Sequence, residues 1–217
     1  MPINKKLPMY IAVQLEDGDA IGCRRRAWLP LPATQAQFSK TLDRIQLERG
    51  DIIIADYAKK VPGLSHHSLM ATPLAVVNHL ADRLTKLNCE QILTLCAVCD
   101  TGYYFDTVER LIDYTYTTDS YTLLPGVTDE EALGQYYIGK SGMVVANAKL
   151  KTCIDRREFG KKLAAMEDGL FTPHGYLTSK IGWNPTPNIE RAVPEALNLT
   201  GCLGEDLYGN WEDESIV

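Results

Sequence analysis

The sequence predicts an α+β fold built from small units, and three observations carry that expectation. MYIAVQLE (9–16) alternates apolar and polar residues with the period of a strand. DIIIADY (51–57) is a short β-branched run of the kind strands favour. In other stretches apolar residues recur every three or four positions, the spacing of a helix with one buried face.

Taken in order, the acidic turn EDGD and the segment AIGCRRRAWLPL complete a hairpin with the first strand. Thr34 then caps a helix whose apolar face is Phe38, Leu42 and Ile45, and Gly50 ends it before DIIIADY. Residues 1–61 form an N-terminal α+β unit. After the loop KVPGLSHH, Thr72 and Pro73 open a helix over about 73–88, striped by Leu74, Val77, Leu80, Ala81, Leu84 and Leu87. CEQILTLCAVC and FDTVERLIDYTY supply two further helices, so 62–124 is a helical middle unit. LLPGV turns the chain into a third unit, 125–183. That unit opens on a helix with Thr128 and Glu131 in capping-box positions. It continues through MVVANAKL, a helix over DRREFGKKLAAME and a strand in GLFTPHGYL. Residues 184–217, with three prolines and many acids, form a partly ordered tail in which Tyr208 and Trp211 are candidate anchors.

GQYYIGKS (134–141) matches the phosphate-loop pattern G-x-x-x-x-G-K-[ST] letter for letter. A phosphate loop needs a buried strand before it and small residues whose N–H groups converge on the phosphates. Here a capped helix precedes Gly134, and bulky Gln-Tyr-Tyr-Ile continues that helix. Gly139 and Gly142 read as C-terminal caps, with Lys140 in the last turn. The spelling is coincidental.

Composition limits the remaining functions. The chain has 217 residues, 45% of them hydrophobic, and no apolar run near the roughly 18 residues that span a membrane. No secretory signal is recognisable at its start, so a cytoplasmic location is expected. Six cysteines then read as free thiols, and Cys96-x-x-Cys99 lacks a second pair at zinc-ligand spacing. His66 and His67 fall in a loop, His79 on the flank of the 73–88 helix and His174 in a strand or turn; they complete no recognised catalytic motif. No catalytic residue, metal ligand or cofactor is assigned.

Charge is distributed unevenly. Residues 1–61 have 7 acids against 10 bases, 62–124 have 7 against 3, 125–185 have 7 against 8 and 186–217 have 7 against 1, for a net charge of −6. Arg24, Arg25 and Arg26 beside Trp28 suggest a nucleic-acid patch, but successive residues of a strand face opposite ways. They read as solvated edge-strand charges.

In order and spacing, several segments resemble the ArdA antirestriction family. They are MYIAVQLEDGDAIGCRRRAWLPLP, DIIIADY before a loop, PLAVVNHLADRLTKL, LGQYYIGKSG, CIDRREFGKKL and DGLFTPHGYL, together covering about residues 9–180. The resemblance implies an elongated, curved protein of three small domains, dimeric through its C-terminal unit. Such a protein presents carboxylates in the pattern of DNA phosphates and occupies the DNA groove of type I restriction-modification enzymes, with their methyltransferase core as partner. It implies no cofactor, no catalysis, no nucleic acid and no membrane. The segment holding Leu133, Tyr136, Tyr137 and Gly142 aligns with the antirestriction motif, although Gly139-Lys140-Ser141 supplies fewer acids than usually follow it.

The carboxylates expected to face the partner are Asp82, Glu90, Asp100, Asp106, Glu109, Asp113 and Asp119, extended by Asp129, Glu130 and Glu131. B-DNA presents one charge per roughly 1.7 Å of axis, so imitating about 20 base pairs takes on the order of 40 placed negatives. A dimer would offer twice 28 acids against twice 22 bases, so mimicry requires the two signs to be segregated on the surface. Two other readings stay open. One is a divergent member of the fold serving as a general protein-interaction or DNA-binding module, through Arg24–Arg26 or the tail. The other is an enzyme whose site is assembled only in space.

Overall fold

The computed structural model describes residues 9–17, 25–45, 52–102, 107–139, 142, 144–183 and 193–199. Much of the EDGD turn, Arg24, Asp106, Lys140, Ser141, Cys23, Cys202, Tyr208 and Trp211 lie outside them. The architecture is α+β, as the sequence predicts, with two three-stranded antiparallel sheets. The chain divides into two compact units. Unit 1 comprises 1–61, 65–82 and 190–217, and unit 2 comprises 62–64 and 83–189.

In unit 1, β1 (Tyr10–Asp17) is the central strand, flanked by β2 (Arg26–Leu31) and β3 (Ile52–Lys60). Ile11, Ala12, Val13 and Leu15 of β1 are buried, so both faces of this strand are covered. Glu16 is also buried, at 2% exposure, and the antiparallel register sets it opposite Arg26, whose Nε donates to its carboxylate at 2.6 Å. Helix α1 (Gln35–Arg44) starts at Thr34 as predicted, with Gln37 reaching back to complete a capping box, and buries Phe38 and Leu42. A short helix, α2 (His66–Met70), occupies the segment expected to be a loop, because the Ser65 hydroxyl accepts from the Ser68 N–H and caps it.

Helix α3 (Leu74–Lys86) carries the apolar stripe, but Ala75, Asn78 and His79 are buried beside Leu74, Val77 and Leu80. His79 therefore sits in the interior and not on an exposed flank, because burial spreads around α3 well beyond the stripe. Asn78 is the polar centre of this unit. Its side-chain oxygen accepts from the Ala33 N–H at 2.8 Å, and its Nδ2 donates to the carbonyls of Ala33 at 2.9 Å and Leu197 at 3.0 Å. One buried amide thus closes the corner between β2 and α1 and holds a segment from far along the chain.

Unit 2 contains α4 (Cys89–Asp100), α5 (Val108–Thr117), β4 (Tyr121–Pro125), α6 (Glu130–Gly139), α7 (Ala148–Thr152), α8 (Arg156–Glu167), β5 (Leu170–Thr172) and β6 (Gly175–Ser179). Asn88 with Gln91 caps α4, and Thr107 caps α5. β6 is central, paired with β4 on one side and β5 on the other. The LLPGV segment, read as a turn, puts Leu123, Leu124 and Pro125 into β4, opposite Leu177, Tyr176 and Gly175. GLFTPHGYL, read as one strand, is the β5–β6 hairpin, turning at Pro173 and His174. Residues 144–147 form no strand, and α7 follows them directly.

One core cluster of this unit is Val127, Leu133, Leu163 and Tyr176, with Tyr136, Tyr137, Phe159 and Phe171 packed against it. Two glycines let α6 and α8 approach backbone to backbone. A Cβ on Gly134 would lie 1.9 Å from the carbonyl oxygen of Arg156, and one on Gly160 would lie 1.8 Å from that of Glu130. The glycine that opens the phosphate-loop spelling is therefore a packing contact, and residues 135–139 after it are helical. Among the described residues of that stretch, 134–139, no loop is present to cradle a phosphate.

Candidate functional site

Eight of the ten carboxylates expected to face a partner belong to unit 2: Glu90, Asp100, Glu109, Asp113, Asp119, Asp129, Glu130 and Glu131. Asp82 belongs to unit 1, and Asp106 lies outside the described residues. The local sequence puts several of them at helix starts. Glu90 and Glu109 lie in the first turns of α4 and α5, and Glu130 and Glu131 in the first turn of α6, where the helix dipole favours negative charge. The Asp129 carboxylate accepts from the Ala132 N–H at 2.8 Å and caps α6, so the cap falls one residue later than Thr128.

Solvent reaches most of these groups. Glu90, Asp100, Glu109, Asp119, Asp129 and Glu131 are exposed, while Asp82, Asp113 and Glu130 are half-buried. Some hold internal partners. Asp100 pairs with His174 at 3.2 Å, Asp119 accepts from Gln91 at 3.3 Å and Glu130 accepts from Arg157 Nε at 3.1 Å. The Glu130 carboxylate also holds the fully exposed Arg157 guanidinium above its ordinary pKa. Surface pairs of this kind are weak and screened by solvent, so exchanging them for a partner's cations costs little. Bases interrupt the acidic surface of this unit. Lys149, Arg156, Lys161 and Lys162 on α7 and α8 are exposed, whereas Arg83 donates to Thr115 and stacks 3.7 Å over the Tyr116 ring.

The segment that the resemblance likens to the antirestriction motif is mainly internal. Leu133 is fully buried, and Tyr136 and Tyr137 are half-buried against the same core. The Tyr137 hydroxyl donates to Glu167 Oε1 at 2.6 Å and that of Tyr176 to Oε2 at 3.0 Å, which joins α6, α8 and β6 through one carboxylate. Burial and the neighbouring carboxylate push both phenols above their ordinary range. Gly142 is exposed at φ 74°, a left-handed conformation that suits glycine. The sequence reading missed Glu167, because the partners that give it a role are 30 and 9 residues away along the chain.

The competing chemistries gain little from the geometry. Burial raises the Cys96 and Cys99 thiols above their ordinary pKa, the opposite of a reactive thiolate. Among the described residues no group of three or more His, Cys, Asp or Glu side chains is arranged to hold a metal ion. His66 lies 2.7 Å from Asp56, and the hydrogen bond from His66 keeps that carboxyl below its usual pKa. Arg26 is committed to buried Glu16, and Arg25 reaches the carbonyl of Ile45 at 3.5 Å. Among the described residues no helix is long and apolar enough to cross a membrane.

Fold and surface define a protein of small α+β units in which the carboxylates expected to meet a partner stand mostly on one unit, several of them at helix starts. The model of the antirestriction protein family ArdA matches residues 20–178, most of the chain, and the chain belongs to that family. The family acts against restriction-modification enzymes and is a family of inhibitors, not of enzymes. No curated protein matches the chain.

Proposed function

We propose that this antirestriction protein is a DNA mimic that occupies the DNA-binding groove of a type I restriction-modification methyltransferase. It acts as a homodimer in the cytoplasm of a host that a mobile element has entered. The observation that carries the reading is the set of exposed carboxylates on unit 2, at the starts of α4, α5 and α6 and at Asp100 and Asp119. A groove built for phosphates attracts such a set through long-range charge. The internal pairs of Asp100 and Glu130 are weak enough to yield to it. Binding rests on these side chains and uses no cofactor. The rival reading through the arginine cluster loses much of its force, because Arg26 already neutralises Glu16.

Replacing Glu90, Glu109 and Glu131 together by Gln tests this. Each is exposed and lies outside the core, so folding is retained. At about 0.5 kcal/mol for each exposed charge, affinity for a type I methyltransferase falls about tenfold at low salt. The salt dependence of binding becomes shallower at the same time. A triple variant that binds as tightly as the parent, with the same salt dependence, removes these carboxylates from the interface.

A further inference from the structure

We propose that residues 193–199 form a strap that completes the core of unit 1 from outside the family-matched region. That region ends at residue 178, yet Leu199 is fully buried and is grouped with unit 1. The strap enters at Pro194 as a single 3-10 turn, Glu195–Leu197, in which the N–H groups of Leu197 and Asn198 bond back to Pro194 and Glu195. The Leu197 carbonyl accepts from Asn78 Nδ2 at 3.0 Å. Asn78 is itself fully buried, and its two other bonds hold Ala33, which is 2% exposed.

Two independent features therefore mark the segment as structural: a leucine with no exposed surface, and a carbonyl spent on a buried amide 119 residues away in sequence. The family-matched region alone leaves one Asn78 donor without this acceptor. Residues 200–217 have five acids and no base, whereas residues 1–61 have three more bases than acids.

Thermal unfolding of the full chain, combined with hydrogen exchange at the Ala33 amide, tests the strap. Leu199→Ala is expected to lower the melting temperature by about 5–10 °C, the shift a lost core leucine gives in a chain of this length. It is also expected to speed exchange at Ala33 at least tenfold. Leu199→Asp does the same more severely, and if it fails to fold the alanine variant still reads the effect. A chain ending at Leu199 is expected to melt within about 1 °C of the parent, since the strap is intact. Unchanged melting and unchanged Ala33 exchange in Leu199→Ala overturn the proposal. So does a loss of stability on ending the chain at Leu199 as large as that in Leu199→Ala, which would place the anchor further along the chain.

Discussion

Gly134→Ala is expected to destabilise the protein by about 3 kcal/mol, although alanine is the better helix former by about 1 kcal/mol. The two effects have opposite signs, and the geometry decides between them. The added methyl would sit 1.9 Å from the backbone oxygen of Arg156, where an ordinary carbon–oxygen contact is about 3.4 Å. Because the obstacle is backbone and cannot rotate away, α6 and α8 must separate by about 1.5 Å. That separation loosens Leu133 and Leu163 in the core between them. Gly160→Ala should behave alike, since its methyl meets the Glu130 oxygen at 1.8 Å. Gly139 on the same helix is the control: nothing lies within 4 Å of its added methyl, so Gly139→Ala should be neutral or slightly stabilising. Urea unfolding of the three variants checks the ranking. A stabilised Gly134→Ala would show that the two helices do not pack through these glycines.

Asn78→Leu is expected to cost about 4 kcal/mol, even though leucine has the same branched heavy-atom skeleton and suits an apolar helix. The replacement strands the N–H and C=O of Ala33 and the C=O of Leu197, and each buried group left unpaired costs about 1–3 kcal/mol. Relaxation that admits water recovers part of that sum. Asn78→Asp separates the donors from the acceptor: the Ala33 N–H keeps its partner, while two carbonyls now face a carboxylate. Burial and those carbonyls raise the pKa of the introduced acid in the folded state above its unfolded value. The folded protein then binds the extra proton, so this variant gains stability as pH falls through the raised pKa and loses it as pH rises. Chemical denaturation at two pH values reads that sign directly.

Much of the fold is legible in the sequence where the determinants are local. The apolar run of β1, the Thr34 cap with its Gln37 return and the stripe of α3 all lie within a few residues of the structure they specify. What is not legible depends on partners far along the chain. Leu123 to Pro125 form a strand because β6 lies beside them, and Pro125 is tolerated at its end, opposite Gly175. Gly134 is spelled like a phosphate-binding glycine, and only α8, beginning 22 residues later, shows it to be a packing residue. Asn78 and His79 look like the polar edge of α3, but tertiary packing buries both. Of the candidate site, the acids at helix starts were readable from capping and dipole rules. The pairing of Asp100 with His174 and of Glu130 with Arg157 was not, because surface ion pairs leave no periodic trace.

The central claim is that this family member works by taking the place of DNA. Its most direct test is to titrate the purified protein against a type I methyltransferase bound to labelled duplex DNA at two salt concentrations. Release of the DNA at substoichiometric to equimolar protein, weakening steeply as salt rises, is the result expected of a polyanion competing for a basic groove. A ternary complex in which the DNA stays bound, or release that is indifferent to salt, would contradict mimicry and direct attention to a different surface of the same fold.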